Sequence, residues 1–199
     1  MSHTSPTTED GGTPTQALLS AVPDARGGLD NRHKATPLSA RSRTVSWHDP
    51  AALQAAGAAL PGREFLRAIL AGRLPPPPMA ALVGAELVSV GEGEAAFRCT
   101  PDESTYNPLG IVHGGLLCTL LDTAAGCAVH TLLPAGAGFA SIEIKVSFLK
   151  PLRANAGEIE VRGQALKVGR RVAFAEAHAR DQCGEPVGHA TTSLAINRP

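Results

Sequence analysis

The spacing of apolar positions changes along the chain, and each change marks a predicted element. Between residues 50 and 72 apolar side chains recur at helical spacing, as in "REFLRAILAG", after the helix-starting pair Asp49-Pro50. We therefore expect two short helices, then an extended spacer at Pro75 to Pro78 and a short helical turn at "MAALVG". Residues 1–45 have no aromatic residue and no sustained period, which predicts a disordered tail.

The rest of the chain predicts strands around one long helix. "AELVSV" and "EAAFRCT" flank a glycine turn, His113 to Leu133 is an apolar helical window, and four strand candidates follow it: "FASIEIKVSFLKP", "GEIEVRGQALKV", "RRVAFAEAHARD" and "EPVGHATTSLAI". In the first of these four, alternation places Ile142, Ile144, Val146 and Phe148 on one face and Ser141, Glu143 and Lys145 on the other. The order predicts an α+β fold, an antiparallel β-sheet around a long central helix with extra N-terminal helices.

Composition narrows the function classes. Lys and Arg (18) balance Asp and Glu (18), so no overall field would attract nucleic acid or an anionic membrane. The apolar window from Leu116 to Leu133 contains Asp122 and His130, which favours a buried helix over a membrane span. The start of the chain lacks the pattern of a signal peptide, and the four cysteines show no CxxC pair, so we expect reduced thiols and a cytoplasmic location.

The stretch "YNPLGIVHGGLLCTLLDTAAG", residues 106–126, carries the candidate chemistry. Gly114 and Gly115 stand where a loop becomes the helix, so the first backbone N–H groups there are open to an anion. Such donors can form an oxyanion hole for an attacked acyl carbonyl, with Asn107 and His113 as further donors. The alternative is that the glycines only permit a tight turn and close packing.

Asp122 is an acidic residue in an apolar helix. Carboxylates are rarely buried without a partner, so Asp122 is a candidate base or nucleophile, although a purely structural hydrogen bond or a solvated face is an alternative. Eight residues separate Gly114 from Asp122, roughly 12 Å along a helix and roughly 80° around it. One carbonyl cannot touch both, so if both act in one reaction they belong to different subunits of a dimer.

These motifs, with "SIEIKVSFLKP" and "KVGRRVAFAEAHARDQCGEPVGHATTS", resemble the PaaI-type acyl-CoA thioesterases of the hotdog-fold superfamily from about Pro76 to Ile196. The resemblance implies a hotdog thioesterase domain at residues 79–199, after a tail at 1–45 and helices with a Pro-rich linker at 46–78. It also implies a homodimer or a dimer of dimers that hydrolyses acyl-CoA. By position, Gly114 would donate to the thioester oxygen, Asn107 and His113 would orient it, and Asp122 of the facing subunit would act as base or nucleophile.

The remaining residue assignments concern the attacking water, the helix start and the CoA phosphates. Ser141 matches a hydroxyl that orients water in some members of that family, whereas its strand phase indicates a solvated serine. Gly115 would bind substrate at the helix start, and Arg170 and Arg171, at a predicted hairpin, would lie near the CoA phosphates or form a solvated turn. The family implies no cofactor.

Three histidines and one cysteine receive a structural interpretation. His130, His178 and His189 show no carboxylate or cysteine at metal-ligand spacing, so no metal site is expected. Cys118 is predicted to be a core thiol, since no activating base is evident. The predicted function is acyl-CoA hydrolysis. The alternatives are a non-catalytic acyl-CoA-binding hotdog module and a hydratase or dehydratase acting on an acyl thioester.

Overall fold

The computed structural model describes residues 39–153 and 156–198. The predicted tail at residues 1–45 lies mostly outside this part, and residues 39–49 form no helix or strand. Three helices follow, α1 (Pro50–Ala59), α2 (Gly62–Leu70) and α3 (Pro78–Val83). The predicted helix start is confirmed, because Asp49 Oδ1 accepts a hydrogen bond from the Ala51 N–H at 2.9 Å.

A sheet wrapped around one long helix makes up the rest. Its elements are β1 (Ala85–Val90), β2 (Glu94–Cys99), α4 (Gly114–His130), β3 (Gly138–Phe148), β4 (Ile159–Val168), β5 (Val172–Arg180) and β6 (Pro186–Asn197). Within the described residues, the six strands pair antiparallel in the order β1-β2-β4-β5-β6-β3. The predicted α+β arrangement is confirmed.

Small residues on the sheet let α4 lie close to it. The strand residues that face α4 include Ala173, Ala175, Ala177 and Ala179, each at most 1% exposed. Gly163 in β4 is the tightest point, because a Cβ there would lie 2.1 Å from the Ala124 carbonyl oxygen of the helix. The helix axis is therefore set by backbone contact as well as by leucine packing.

Helix α2 docks on the carboxyl end of α4. The Gly62 N–H donates to the Leu133 carbonyl at 3.0 Å, and a Cβ at Gly62 would lie 1.9 Å from the His130 carbonyl oxygen. The His130 ring lies between Phe65 and Phe139, with both ring centroids 5.7 Å away. Burial lowers the pKa of His130, so the neutral imidazole is favoured in this apolar setting.

Strand β3 is an edge strand with an irregular register. Among the described residues it pairs with β6 on one side only, and the pairing shifts between Ser141 and Glu143. Such a bulge reverses which side chains face the core beyond it. No helix in the described part of the chain is long and apolar enough to cross a membrane.

Candidate functional site

The start of α4 is capped by a histidine. His113 is the N-cap residue, and its Nδ1 accepts the Gly115 N–H at 2.8 Å, while its own backbone N–H donates to the Thr105 carbonyl at 2.8 Å. Because Nδ1 accepts a hydrogen bond, a neutral His113 ring carries its proton on Nε2. The ring is therefore held in place by the helix and presents a donor to the surroundings.

The two glycines at this point have different roles. The Gly115 N–H is already bound by His113, and a Cβ on Gly115 would lie 2.9 Å from His113 Nδ1. The Gly114 N–H has no acceptor among the described residues, and a Cβ on Gly114 would lie 3.1 Å from the Phe148 ring. Gly114 thus supplies the open donor at the positive end of the helix dipole, and Gly115 makes room for the cap.

Asn107 organises the loop that precedes the helix. Its Oδ1 accepts from the Leu109 N–H at 2.9 Å and the Ile111 N–H at 3.3 Å, and its backbone N–H donates to the Ile111 carbonyl at 2.8 Å. Gly110, at φ +71°, completes the turn in a conformation that favours glycine. With the oxygen so occupied, the Asn107 Nδ2 group has no acceptor in the described part of the chain and can donate to a ligand.

These donors share one cavity of about 300 Å³. It is lined by Asn107, Ile111, Val112, His113, Gly114, Leu117, Phe148, Leu149, Lys150, Pro151 and Leu152. The structure therefore brings together three of the residues that the sequence analysis selected, Asn107, His113 and Gly114. An acyl carbonyl placed here would meet N–H donors on one side and apolar side chains on the other.

Lys150 was missed by the sequence analysis. It lines the same cavity, and its Nζ lies 2.7 Å from Asp181 Oδ2. That hydrogen bond raises the pKa of Lys150 and lowers the pKa of Asp181, so both are charged near neutral pH. The signal was the "FLKP" stretch, which begins with the last residue of β3, since the residues after Phe148 return to the helix start.

Asp122 lies farther along α4, on a half-buried face within reach of β3. The Ser141 hydroxyl donates to Asp122 Oδ1 at 2.8 Å. The sequence analysis placed Ser141 on the polar face with Glu143, and that phase is wrong, because the bulge in β3 reverses the alternation. Ile142 is 59% exposed, whereas Phe139 before the bulge and Ile144 after it pack on the core.

Within one chain the candidate residues form two groups. Asn107, His113 and Gly114 surround the 300 Å³ cavity, whereas Asp122 and Ser141 do not line it. Eight helical residues correspond to roughly 12 Å of rise, which agrees with this division. β3 and α4 run in opposite directions. Phe148, at the end of β3, lies beside Gly114 at the start of α4, whereas Ser141, near the start of β3, contacts Asp122 farther along the helix.

Arg170 and Arg171 are exposed and lie at the end of the sheet where β3 begins. The Arg171 carbonyl accepts the Ile196 N–H at 2.9 Å, and Ile196 pairs with Phe139 of β3. This places the two guanidinium groups at the Ser141 end of the sheet. The turn lies away from the cavity at Gly114 of the same chain.

The thiols near Asp122 do not have the character of nucleophiles. Burial, with a smaller contribution from the Asp122 charge, raises the pKa of Cys127 to about 12. Burial also raises the pKa of Cys118. A thiol with a raised pKa carries little thiolate at neutral pH, so neither Cys118 nor Cys127 is an activated nucleophile.

A second cavity, of about 410 Å³, lies beneath the N-terminal helices; we call it the apolar chamber. It is lined by Leu53, Phe65, Leu66, Ile69, Pro76, Pro77, Met79, Ala80, Val83, Ala85, Glu86, Leu87, Phe97, Thr119, Thr123, Cys127 and His130. The two threonine hydroxyls donate to helix carbonyls, Thr119 to Gly115 at 3.0 Å and Thr123 to Thr119 at 2.7 Å. Both hydroxyl protons are thus donated within the helix, so neither threonine has a hydrogen-bond donor left to face the chamber.

Comparison with known proteins agrees with this architecture. A family model described as the Thioesterase superfamily matches residues 109–187. A Halobacterium salinarum protein provisionally named an esterase is 35% identical over 99 residues, which are 47% of this chain and 64% of that protein. Acyl-coenzyme A thioesterase 13 of Homo sapiens is 32% identical over 89 residues, 44% of this chain and 61% of the human protein.

A solved structure shows the same fold. The PaaI protein from the phenylacetic acid degradation operon of E. coli superposes with a TM-score of 0.59 at 21% identity, covering 69% of this chain and 95% of that one. The chain spans less than two thirds of the length of the two curated relatives. The predicted resemblance to the PaaI-type hotdog thioesterases is confirmed, and the hotdog fold with it.

Proposed function

We propose, from the premise that this chain is a hotdog-fold protein of the thioesterase superfamily, that it hydrolyses acyl-CoA thioesters to a carboxylic acid and CoA. The observation that carries the proposal is the Gly114 N–H, which has no acceptor in the described chain and opens into a cavity beside Asn107 and His113. A thioester carbonyl is the kind of group that this arrangement polarises. Negative charge develops on its oxygen when the carbon is attacked, and preorganised N–H donors stabilise that charge.

Asp122 then activates the nucleophile. In the general-base route, water attacks the carbonyl carbon, its proton passes to Asp122, and the C–S bond breaks to release the CoA thiolate, which is then protonated. In the covalent route, the carboxylate attacks first and a mixed anhydride forms as the thiolate leaves, and water then hydrolyses the anhydride. Ser141 serves either route by holding one carboxylate oxygen at 2.8 Å.

The two groups of residues meet between two subunits. One edge of β3 has no partner strand in the part of the chain that the structure describes, and Ile142 (59% exposed) and Phe148 (57% exposed) leave apolar surface beside it. A long unpaired edge favours pairing with a second copy. If two β3 strands pair antiparallel about a two-fold axis between Ile144 and Lys145, Ser141 lies opposite Phe148 of the partner subunit, which brings Asp122 towards the partner's Gly114.

A mixing experiment tests the shared site. Asp122→Asn and Gly114→Pro chains, each inactive alone, are combined through unfolding and refolding. Half of the random dimers are mixed, and each mixed dimer holds one intact site of two, so the expected recovery is about a quarter of wild-type thiol release. A mixture as inactive as its parents, with mixed dimers present on mass spectrometry, would rule out the shared site.

Cations at both ends of β3 suit the phosphates of CoA. Arg170 and Arg171 are exposed at the turn beside the start of β3, and Lys150 lines the cavity at Gly114. Guanidinium groups bind phosphate oxygens in pairs, whereas an ammonium group acts as a point charge. We assign the nucleotide end of the substrate to these side chains.

The apolar chamber suits a hydrocarbon acyl chain. Its wall includes Thr123, the residue after Asp122, and among its lining residues Glu86 is the one acidic side chain and is exposed. His130, the other ionisable ring in the wall, favours its neutral form. No cation in the lining would pair with a second carboxylate, so the chamber favours a saturated chain over a dicarboxylic acyl group.

The length of the acyl chain should therefore control the rate of hydrolysis. Each buried methylene contributes about 0.8 kcal/mol, so four more methylenes should raise kcat/KM for hexanoyl-CoA over acetyl-CoA by about 200-fold. Val83→Phe, which fills the chamber, should reduce kcat/KM for palmitoyl-CoA by at least about tenfold and leave acetyl-CoA unchanged. Both expectations are tested by measuring kcat/KM for thiol release from acetyl-, hexanoyl-, palmitoyl-, succinyl- and phenylacetyl-CoA.

The control for that panel is Leu82→Phe. Leu82 is the neighbouring residue on α3, is 50% exposed and does not line the chamber. Leu82→Phe should give the wild-type kcat/KM for every acyl-CoA in the panel. Equal losses in both variants, or equal rates for all chain lengths, would contradict the assignment of the chamber. Binding of acyl-CoA without any thiol release would instead favour a non-catalytic binding module over the proposed hydrolase.

A further inference from the structure

Three metal-ligating side chains converge on the face of the sheet that points away from α4. Glu176 and His178 lie on β5 and His189 lies on β6, and one ligand atom from each lies within 4.8 Å of the others. We propose that these residues form a site for a divalent transition-metal ion of the zinc type. We call this group the outer-face triad.

Strand pairing explains why the three side chains meet. His178 and His189 are direct cross-strand partners in the β5–β6 pair, and Glu176 is two residues from His178, so all three point to the same face. The alternate residues Ala175, Ala177 and Ala190 are buried against the core, which fixes the outward direction of the triad. Each of the two strands is paired on both sides, so their backbones hold this spacing.

The separations are close to those that an ion requires. His178 Nε2 lies 3.6 Å from Glu176 Oε1, and His189 Nε2 lies 3.6 Å from Glu176 Oε2. Two ligands at about 2.0 to 2.2 Å from a tetrahedral ion are about 3.4 Å apart, so small side-chain rotations suffice. The imidazole centroids are 4.5 Å apart with their planes tilted by 32°, and both Nε2 atoms approach the same carboxylate.

The donor set selects the class of ion. Two imidazoles with one carboxylate suit Zn²⁺, Co²⁺, Ni²⁺ or Cu²⁺, whereas Mg²⁺ and Ca²⁺ prefer oxygen ligands. The side chains of His178 and His189 are 53% and 33% exposed, so water can complete the coordination. Arg162, the cross-strand partner of His178, is paired with Glu160 at 2.7 Å, which lowers the cost of placing a cation nearby.

The sequence carried a signal for this site that single-residue inspection did not use. Glu176 and His178 follow an E-x-H pattern, which places both side chains on one face of a strand. His189 joins them only when β5 and β6 pair in this register. The triad lies on the opposite face of the sheet from Asp122, so an ion there would act on stability or assembly and would not touch the thioester.

Titration calorimetry with the untagged full chain tests the proposal. Zn²⁺ should bind at one site, and Co²⁺ should give the visible absorption of a tetrahedral N/O site, whereas Mg²⁺ should give no heat. His178→Gln combined with His189→Gln, and separately Glu176→Gln, should weaken Zn²⁺ binding by at least about tenfold and remove the rise in Tm that Zn²⁺ causes in the wild type. His48→Gln, at an exposed histidine elsewhere, should bind as the wild type does.

The triad variants should fold and retain wild-type thiol release, because they lie outside the thioester site. Zn²⁺ affinity unchanged in the triad variants, or lost equally in His48→Gln, would overturn the proposal. An equal response to Mg²⁺ would do so as well, since it would indicate general electrostatic binding.

Discussion

Asp122→Asn should lower kcat for acyl-CoA hydrolysis by about two to four orders of magnitude, the usual contribution of a positioned base. Asparagine has nearly the same shape, and its side-chain oxygen can still accept the Ser141 hydroxyl that binds Asp122 at 2.8 Å. It cannot take a proton from water or attack the carbonyl as a carboxylate does. Initial rates of thiol release with saturating hexanoyl-CoA measure the effect, with KM determined in the same series.

The control for this variant is Glu64→Gln, which makes the same chemical change at an exposed carboxylate in the first turn of α2. It should leave kcat unchanged. Light scattering and thermal unfolding should give the same assembly and similar Tm for both variants and the wild type. A kcat for Asp122→Asn within about threefold of the wild type would exclude Asp122 as the base or nucleophile.

Gly114→Pro should remove the oxyanion donor while the helix remains. Gly114 is the first helical residue after the cap, a position where proline is well tolerated because its missing N–H is not needed by the helix. The preceding residue, His113, has φ −64° and ψ 132°, a conformation compatible with a following proline. Loss of the Gly114 N–H should lower kcat/KM by about 100-fold to 1,000-fold.

The matched comparison is Gly114→Ala. Both variants add a Cβ that would lie 3.1 Å from the Phe148 ring, but alanine keeps the N–H, whereas proline loses it and adds the Cγ and Cδ of its ring. The ratio of their kcat/KM values therefore removes the cost of the Cβ and reports the loss of the N–H together with the two added ring carbons of proline. Equal activity of the proline and alanine variants would show that the Gly114 N–H does not stabilise the transition state, even if both were slower than the wild type.

Local patterns were sufficient for most of the elements. Helical spacing and the Asp49-Pro50 start predicted α1, and the apolar window after His113 predicted α4, observed as Gly114–His130. The boundaries of the strands also agree within a few residues, because glycine and charged turns separate them. These features depend on backbone preferences and side-chain polarity over short stretches, which a sequence contains.

Local sequence patterns did not predict correctly which way the side chains of β3 point. Simple alternation placed Ser141 towards solvent, whereas the bulge between Ser141 and Glu143 turns it to Asp122. A bulge arises from the fit of one strand to its neighbour, and the β3 letters alone do not contain the register with β6. The same limitation explains why Lys150 was missed, since its place beside Gly114 depends on how the end of β3 returns to the helix start.

By itself, the sequence determined the α+β element order and the loop and helix start that carry Asn107, His113 and Gly114. It also determined that Asp122 lies too far along the same helix to contact a thioester carbonyl bound at Gly114. Those properties follow from neighbours within a few residues or from the constant rise of a helix. Only the tertiary structure decided that Ser141 holds Asp122, that the N-terminal helices enclose the apolar chamber, and that Glu176 meets His178 and His189. Each of these depends on strand register or helix docking, where residues distant in the chain come together because burial of the whole core favours one arrangement.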